Sequence, residues 1–87
     1  MIYNVYAIRD ALSGFMSPTL ESSDALALRH FSMAVSNAQA GNLMHFRPGD
    51  FNLYRIGKYN TDDGAIIRVD PITLVASGDS IMDREEV

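Results

Sequence analysis

The chain has 87 residues, 47% of them hydrophobic and 21% charged, which leaves room for one small domain and no second one, since a domain usually takes roughly 100–200 residues. It has no cysteine, which excludes a disulfide framework, a thiolate zinc site and a cysteine nucleophile. Its net charge is −4, and Asp79, Asp83, Glu85 and Glu86 crowd the last nine residues against Arg84 alone, leaving six cations and seven acids before them; neither part has the surplus of Lys and Arg that coats a phosphate backbone nonspecifically.

Residues Ile2 to Arg9, IYNVYAIR, are aromatic and β-branched and run into Asp10–Gly14, whose Asp, Ser and Gly form turns, so a first strand entering a turn is expected. Phe15 to Leu20 contains Pro18 and reads as an extended edge or loop. The next segment carries the helix. Ser22 or Ser23 is the N-cap, Asp24 sits at the positive end of the dipole, and Gly41 is read as the residue just past the end. Leu28, Phe31, Val35 and Ala38, widened by Ala27 and Ala34, make one apolar stripe. Asn42–Phe46 reads as a short extended or frayed piece, and Arg47-Pro48-Gly49-Asp50 as a turn. Phe51–Tyr59 and Ala65–Val69 around Asn60–Gly64 form a hairpin. After Pro71, ITLVAS is either a last strand or a helical turn, and Gly78 opens an acidic tail over residues 79–87. A short echo, N-[VL]-Y-x-I, joins Asn4–Ile8 to Asn52–Ile56; duplication and plain likeness between aromatic strands both account for five residues.

Alternation assigns the strand faces. Ile2, Tyr6 and Ile8 oppose Tyr3, Val5 and Ala7; Phe51, Leu53, Arg55, Gly57 and Tyr59 oppose Asn52, Tyr54, Ile56 and Lys58. Both faces are partly apolar, whereas a sheet with one wet face alternates cleanly. One helix covers only one face. The other is therefore expected to meet a second copy, most simply in a two-fold dimer, with Tyr3, Val5, Tyr6, Tyr54, Ile56 and Ile66 as interface residues. The competing use is single-stranded DNA: bases stacked on Tyr3, Tyr6, Tyr54 and Tyr59, with Arg9, Arg55, Lys58 and Arg68 reaching phosphates. The acidic balance argues against DNA, and tyrosine serves equally well as an interface anchor.

No pattern for a nucleophile elbow, phosphate loop, dinucleotide fold or zinc protease occurs, and a pair drawn from Asp10, Asp50 and Asp70 is the remaining enzymatic alternative. His30 reads as solvated, His45 as capping or packing, and Asp62-Asp63-Gly64 as a turn without the spaced ligands of a calcium loop. The expectation is a non-enzymatic protein with no cofactor and no metal. No stretch reaches the ~20 apolar residues of a membrane span, and MIYNVYAIRD lacks the character of a signal peptide, so an intracellular protein with no membrane partner is expected.

Three ordered blocks carry a resemblance: Val5–Asp10 with Ser13-Gly14-Phe15 and Pro18, Ala27–Val35, and Pro48–Tyr59 with Gly64. Together, and up to about Gly78, they resemble the small nonstructural protein of gokushovirus-type microviruses, phages with a single-stranded DNA genome. The resemblance implies an accessory protein acting in the host cytoplasm with phage or host replication or packaging proteins, and it carries no catalytic residue. The fold expected is α+β in β-α-β-β order, a small antiparallel sheet with one amphipathic helix packed on one face, over residues 1–78.

Overall fold

In the computed structural model, which describes the backbone of residues 1–85 and the side chains of residues 1–82, the chain runs β1 (Ile2–Asp10), β2 (Gly14–Phe15), β3 (Thr19–Glu21), α1 (Asp24–Ser36), α2 (Leu43–Phe46), β4 (Phe51–Asn60), β5 (Ile66–Ser77) and α3 (Gly78–Glu85), with a 3-10 turn at Pro48–Asp50. The sheet is antiparallel in the order β2-β1-β4-β5, and β3 shares the outer edge of β1 with β2. The α+β class and the single antiparallel sheet are as expected from the sequence. Pro18 lies in the link between the two edge strands, where a missing N–H breaks no ladder.

Helix α1 starts on a side-chain cap: Ser23 Oγ accepts from Leu26 N at 3.2 Å. It ends at Ser36, five residues short of Gly41, so Ala38 falls outside it and is exposed. The earlier stop has a physical cause. Asn42 folds back, its Nδ2 donating to Ala34 O at 2.8 Å and to Asn37 O at 2.7 Å, while the His45 ring lies 2.9 Å from Val35 O. Carbonyls left without partners at the helix end are thereby satisfied, with Asn42 and His45 brought in by α2. Asn42–Phe46 is thus a helical turn rather than extended, and His45 caps.

Ala27, Phe31 and Val35 of α1 pack on Tyr6, Phe51 and Leu53 of the sheet, with Ile8, Leu28, Met44, Val75 and Ala76 around them. The same core includes Ile81, 3% exposed, and Met82 packs against it. This corrects the boundary at residue 78: residues 78–85 form α3, and an isoleucine inside the acidic segment anchors it. The last two residues of the expected tail, 86 and 87, lie outside the described residues. Gly78 permits the return, because a Cβ there would stand 2.1 Å from Pro48 O.

Registers between β4 and its neighbours contain irregularities that alternation alone does not foresee. Val5 pairs with Gly57 but Tyr6 pairs with Arg55, which leaves Ile56 as an extra, half-buried bulge residue. Beyond the bulge the parity of β4 reverses, so Lys58 joins the row of Asn4 and Tyr59 the row of Tyr3. Gly57 marks the spot: a Cβ on it would meet Ile67 O at 2.7 Å. On β5, Val69–Ile72 form an excursion between Arg68, opposite Gly57, and Thr73, opposite Arg55.

Candidate functional site

All three helices contribute to, or pack against, the core on the side of Tyr6, Phe51 and Leu53. Cross-strand partners share a face, so registers list the other side of the sheet directly. It carries Tyr3, Val5, Ala7 and Arg9 from β1; Phe15 opposite Arg9; Leu20 opposite Val5; Asn52, Tyr54 and Tyr59 from β4; and Ile66, Arg68, Leu74 and Ser77 from β5. No described helix covers this face. With β4 ten residues long and four strands across, it offers roughly 600 Å² in projection, taking ~3.3 Å per residue and ~4.8 Å per strand.

Val5 and Ala7, in the middle of the sheet, are buried by their neighbours, whereas Phe15, Leu20, Leu74 and Ile66 are 49%, 46%, 55% and 75% exposed. Phe15 and Tyr54 meet edge to face with ring centroids 5.8 Å apart, a favoured aromatic geometry. Tyr3, Tyr54 and Tyr59 are each half-buried, with part of every side chain in solvent. Arg9 and Arg68 are exposed, and no described carboxylate lies within 4 Å of either. No carboxylate belongs to the paired rows of this face among the described residues.

The acids stand elsewhere. Glu21 pairs across from Asn4 in the helix-side row and contacts His30 on α1. Asp62 and Asp63 lie in the β4–β5 loop, where Asn60 Oδ1 accepts from Asp62 N and Asp63 Oδ1 accepts from Ala65 N, a turn as read from Asp-Asp-Gly. Asp24, at the N-terminus of α1, accepts from Tyr6 Oη at 2.5 Å and from Arg55 Nη1 at 2.7 Å. The Tyr6 hydroxyl and the Arg55 guanidinium hold its carboxyl below the ordinary range despite partial burial. In turn, burial and the adjacent carboxylate push the Tyr6 hydroxyl up to about 12.

The structure therefore sorts the residues chosen from sequence. Tyr3, Val5, Tyr54 and Ile66 share the open face as expected. Tyr6 does not: it is 0% exposed and fills the core under α1, so it supplies neither an interface contact nor a stacking platform. Ile56 is the bulge residue and lies outside the paired rows. Of the cations, Arg9 and Arg68 reach the open face, Arg55 is held by Asp24 on the helix side, and Lys58 falls in the helix-side row with Asn4 and Ile67. Phe15, Leu20 and Leu74 were missed; Tyr59 was named as a stacking candidate, but alternation put it on the face away from Tyr54, and the signal for its true place was Gly57, a glycine inside a strand. The echo between Asn4–Ile8 and Asn52–Ile56 has no shared environment, since Tyr6 is core and its counterpart Tyr54 lies on the opposite face.

Of the three aspartates weighed as an acid–base pair, Asp10 and Asp50 are backbone neighbours, with Ala11 N donating to Asp50 O at 2.9 Å, but their carboxylates have separate partners, and Asp70 stands apart. Asp10 accepts from Leu12 N and Ser13 Oγ, both at 3.0 Å, and Asp50 lies 3.8 Å from Arg47. Asp70 sits in the β5 excursion, opposite the Ile56 region and some five residues, roughly 16 Å, along β4 from the Phe51 end where Asp10 pairs. Among the described residues no group of three or more His, Asp or Glu could hold a metal ion, and no helix is long and apolar enough to cross a membrane.

An antiparallel sheet with its helices on one side and, on the other, an aromatic and cationic face whose paired rows hold no carboxylate among the described residues defines a small α+β protein. A family model described as Phage ORF5 protein matches residues 3–81. The chain belongs to this family and is a small phage protein. The match runs past Gly78 to Ile81, the residue through which α3 enters the core. No curated protein and no solved structure matches the chain.

Proposed function

We propose that this protein is a non-enzymatic accessory factor of a microvirus-type phage, acting in the host cytoplasm during genome replication or packaging, and that it holds single-stranded DNA on the open face of its sheet. The observation that carries the proposal is the segregation of charge. In a chain of net charge −4, the open face has two arginines and four aromatic rings but no carboxylate in its paired rows among the described residues. Tyr3, Tyr54, Tyr59 and Phe15 offer π-surfaces to bases, and Arg9 and Arg68 take phosphates with their planar forks. The acidity of the remaining surface limits nonspecific coating, and the resemblance to gokushovirus nonstructural proteins makes single-stranded DNA the strand at hand.

Fluorescence anisotropy of a labelled oligothymidylate of about 12 nucleotides, long enough for a typical single-stranded site, tests it. Expected is micromolar or tighter binding at low salt, with a log–log salt slope near −1.4 for two phosphate contacts at ~0.7 each. Tyr54→Ala should weaken binding by about 1–3 kcal/mol, the usual worth of a stacked base. Absence of binding at low salt refutes the proposal.

A second reading is self-association, or docking of another replication or packaging protein, through the same face. The exposed Phe15, Leu20, Ile66 and Leu74 favour it. Against self-association, a two-fold face-to-face contact would bring Arg9 and Arg68 toward the same arginines of a second copy with no carboxylate to meet them. Sedimentation of Tyr54→Asp beside the parent protein reports on this reading.

A further inference from the structure

The helical layer does not extend over the whole sheet. α1 begins at Asp24, beneath Tyr6 and Arg55, and the core includes nothing from the end of the sheet formed by residues 2–4, 58–60 and 66–68. That end is therefore uncovered on the helix side as well. Its helix-side row contains Ile2, Asn4, Lys58, Asn60 and Ile67. Ile2 and Ile67 are 54% and 63% exposed, and with Lys58, Asn60, Asp63 and Ala65 they line a shallow groove of about 330 Å³.

We infer that this groove is a two-fold contact between copies of the chain, on a different surface from the open face and independent of whether that face binds DNA. The groove has an apolar floor bordered by one cation and one carboxylate. Lys58 has no described carboxylate within 4 Å, and Asp63 has no described cation within that distance; its only recorded bond is from Ala65 N. A partner of a single sign would satisfy one of these groups and repel the other. A second copy related by a two-fold axis satisfies both, because an isologous contact sets Lys58 of each copy against Asp63 of the other while the isoleucines close on each other. The groove is thus self-complementary in charge, whereas the open face, with two arginines and no acid in its paired rows among the described residues, is not.

Sedimentation velocity across a concentration series, at low and moderate salt, tests the contact with charge swaps. The parent protein should dimerise with concentration. Lys58→Asp sets Asp against Asp63, Asp63→Lys sets Lys against Lys58, and each should weaken the dimer about tenfold or more. An equimolar mixture of the two variants should restore it, because each brings the charge that the other lacks; this also reports that both variants fold, although Asp63→Lys gives up the turn bond to Ala65. Tyr54→Asp should leave the dimer intact. A parent protein that stays monomeric, a Lys58→Asp variant that dimerises normally, a mixture with no recovery, or a dimer dissolved by Tyr54→Asp instead would each overturn the inference. A parent protein that dimerises but binds no oligonucleotide at low salt would count against the DNA proposal alone.

Discussion

Replacing Tyr6 by phenylalanine isolates one polar contact at the centre of the fold. The ring of Tyr6 is fully buried against α1 and Phe51, and phenylalanine retains it; what goes is the O–H, which donates to Asp24 at 2.5 Å and accepts from Asn4 Nδ2 at 3.1 Å. A hydrogen bond to a charged group is worth about 1.5–3 kcal/mol. Asp24 is 46% exposed and keeps Arg55 at 2.7 Å, so water and the guanidinium recover part of this, and a loss of about 1–2 kcal/mol is expected. For a domain of this size that lowers the melting temperature by about 5–15 °C.

The pH dependence gives the experiment its sharper edge. The Tyr6 hydroxyl titrates near 10 in the unfolded chain and about 12 in the folded one. Its contribution is therefore fully present below pH 10 and is lost as the pH rises toward 12. Asp24 is shifted the opposite way, held below its ordinary 3.8 first by the Tyr6 O–H and then by Arg55. Its contribution is present above that value and lost as the pH falls through the folded one. The gap between parent and Tyr6→Phe in urea unfolding, followed by far-UV circular dichroism, should thus be widest near neutrality and narrow in both acid and strong alkali. An unchanged melting temperature at pH 7, or a gap that persists undiminished above pH 11, would refute the reasoning.

Three further outcomes are expected. Ile81→Ala removes a side chain that is 3% exposed in the core, at about 2–5 kcal/mol, and truncation after residue 77 should abolish cooperative thermal unfolding; a truncated chain that melts like the parent would mean that α3 contributes nothing to the fold. Gly78→Ala forces a Cβ to within 2.1 Å of Pro48 O and should destabilise more than Gly49→Ala, whose Cβ meets the side chain of Asp79 at 2.8 Å, a group free to move; chemical denaturation of the two variants side by side decides. Asn42→Ala strips the donors to Ala34 O and Asn37 O and should cost about 1–2 kcal/mol, with faster hydrogen exchange confined to the end of α1 and to α2.

Local signals in the sequence foretold much of the architecture. The Ser23 cap with Asp24, the Phe31 and Val35 stripe, the hairpin over Phe51–Tyr59, the turn at Asn60–Gly64 and the edge position of Pro18 each follow from chemistry within a few residues. So does the excess of apolar sheet over what one helix hides, since both strand faces carry tyrosine or isoleucine. What the tertiary structure decided depends on partners distant in the chain. Asn42 and His45 end α1 from across a loop, and Ile81 becomes core only because Gly78 lets the chain close on Pro48. The bulge at Ile56 exchanges the faces of Lys58 and Tyr59, because a single extra residue shifts a period of two by half its length. That shift leaves Tyr3, Tyr54, Tyr59, Arg9 and Arg68 on one face, whose paired rows hold no carboxylate among the described residues. Composition registers only the sum of charges, and pairing between strands determines where they stand.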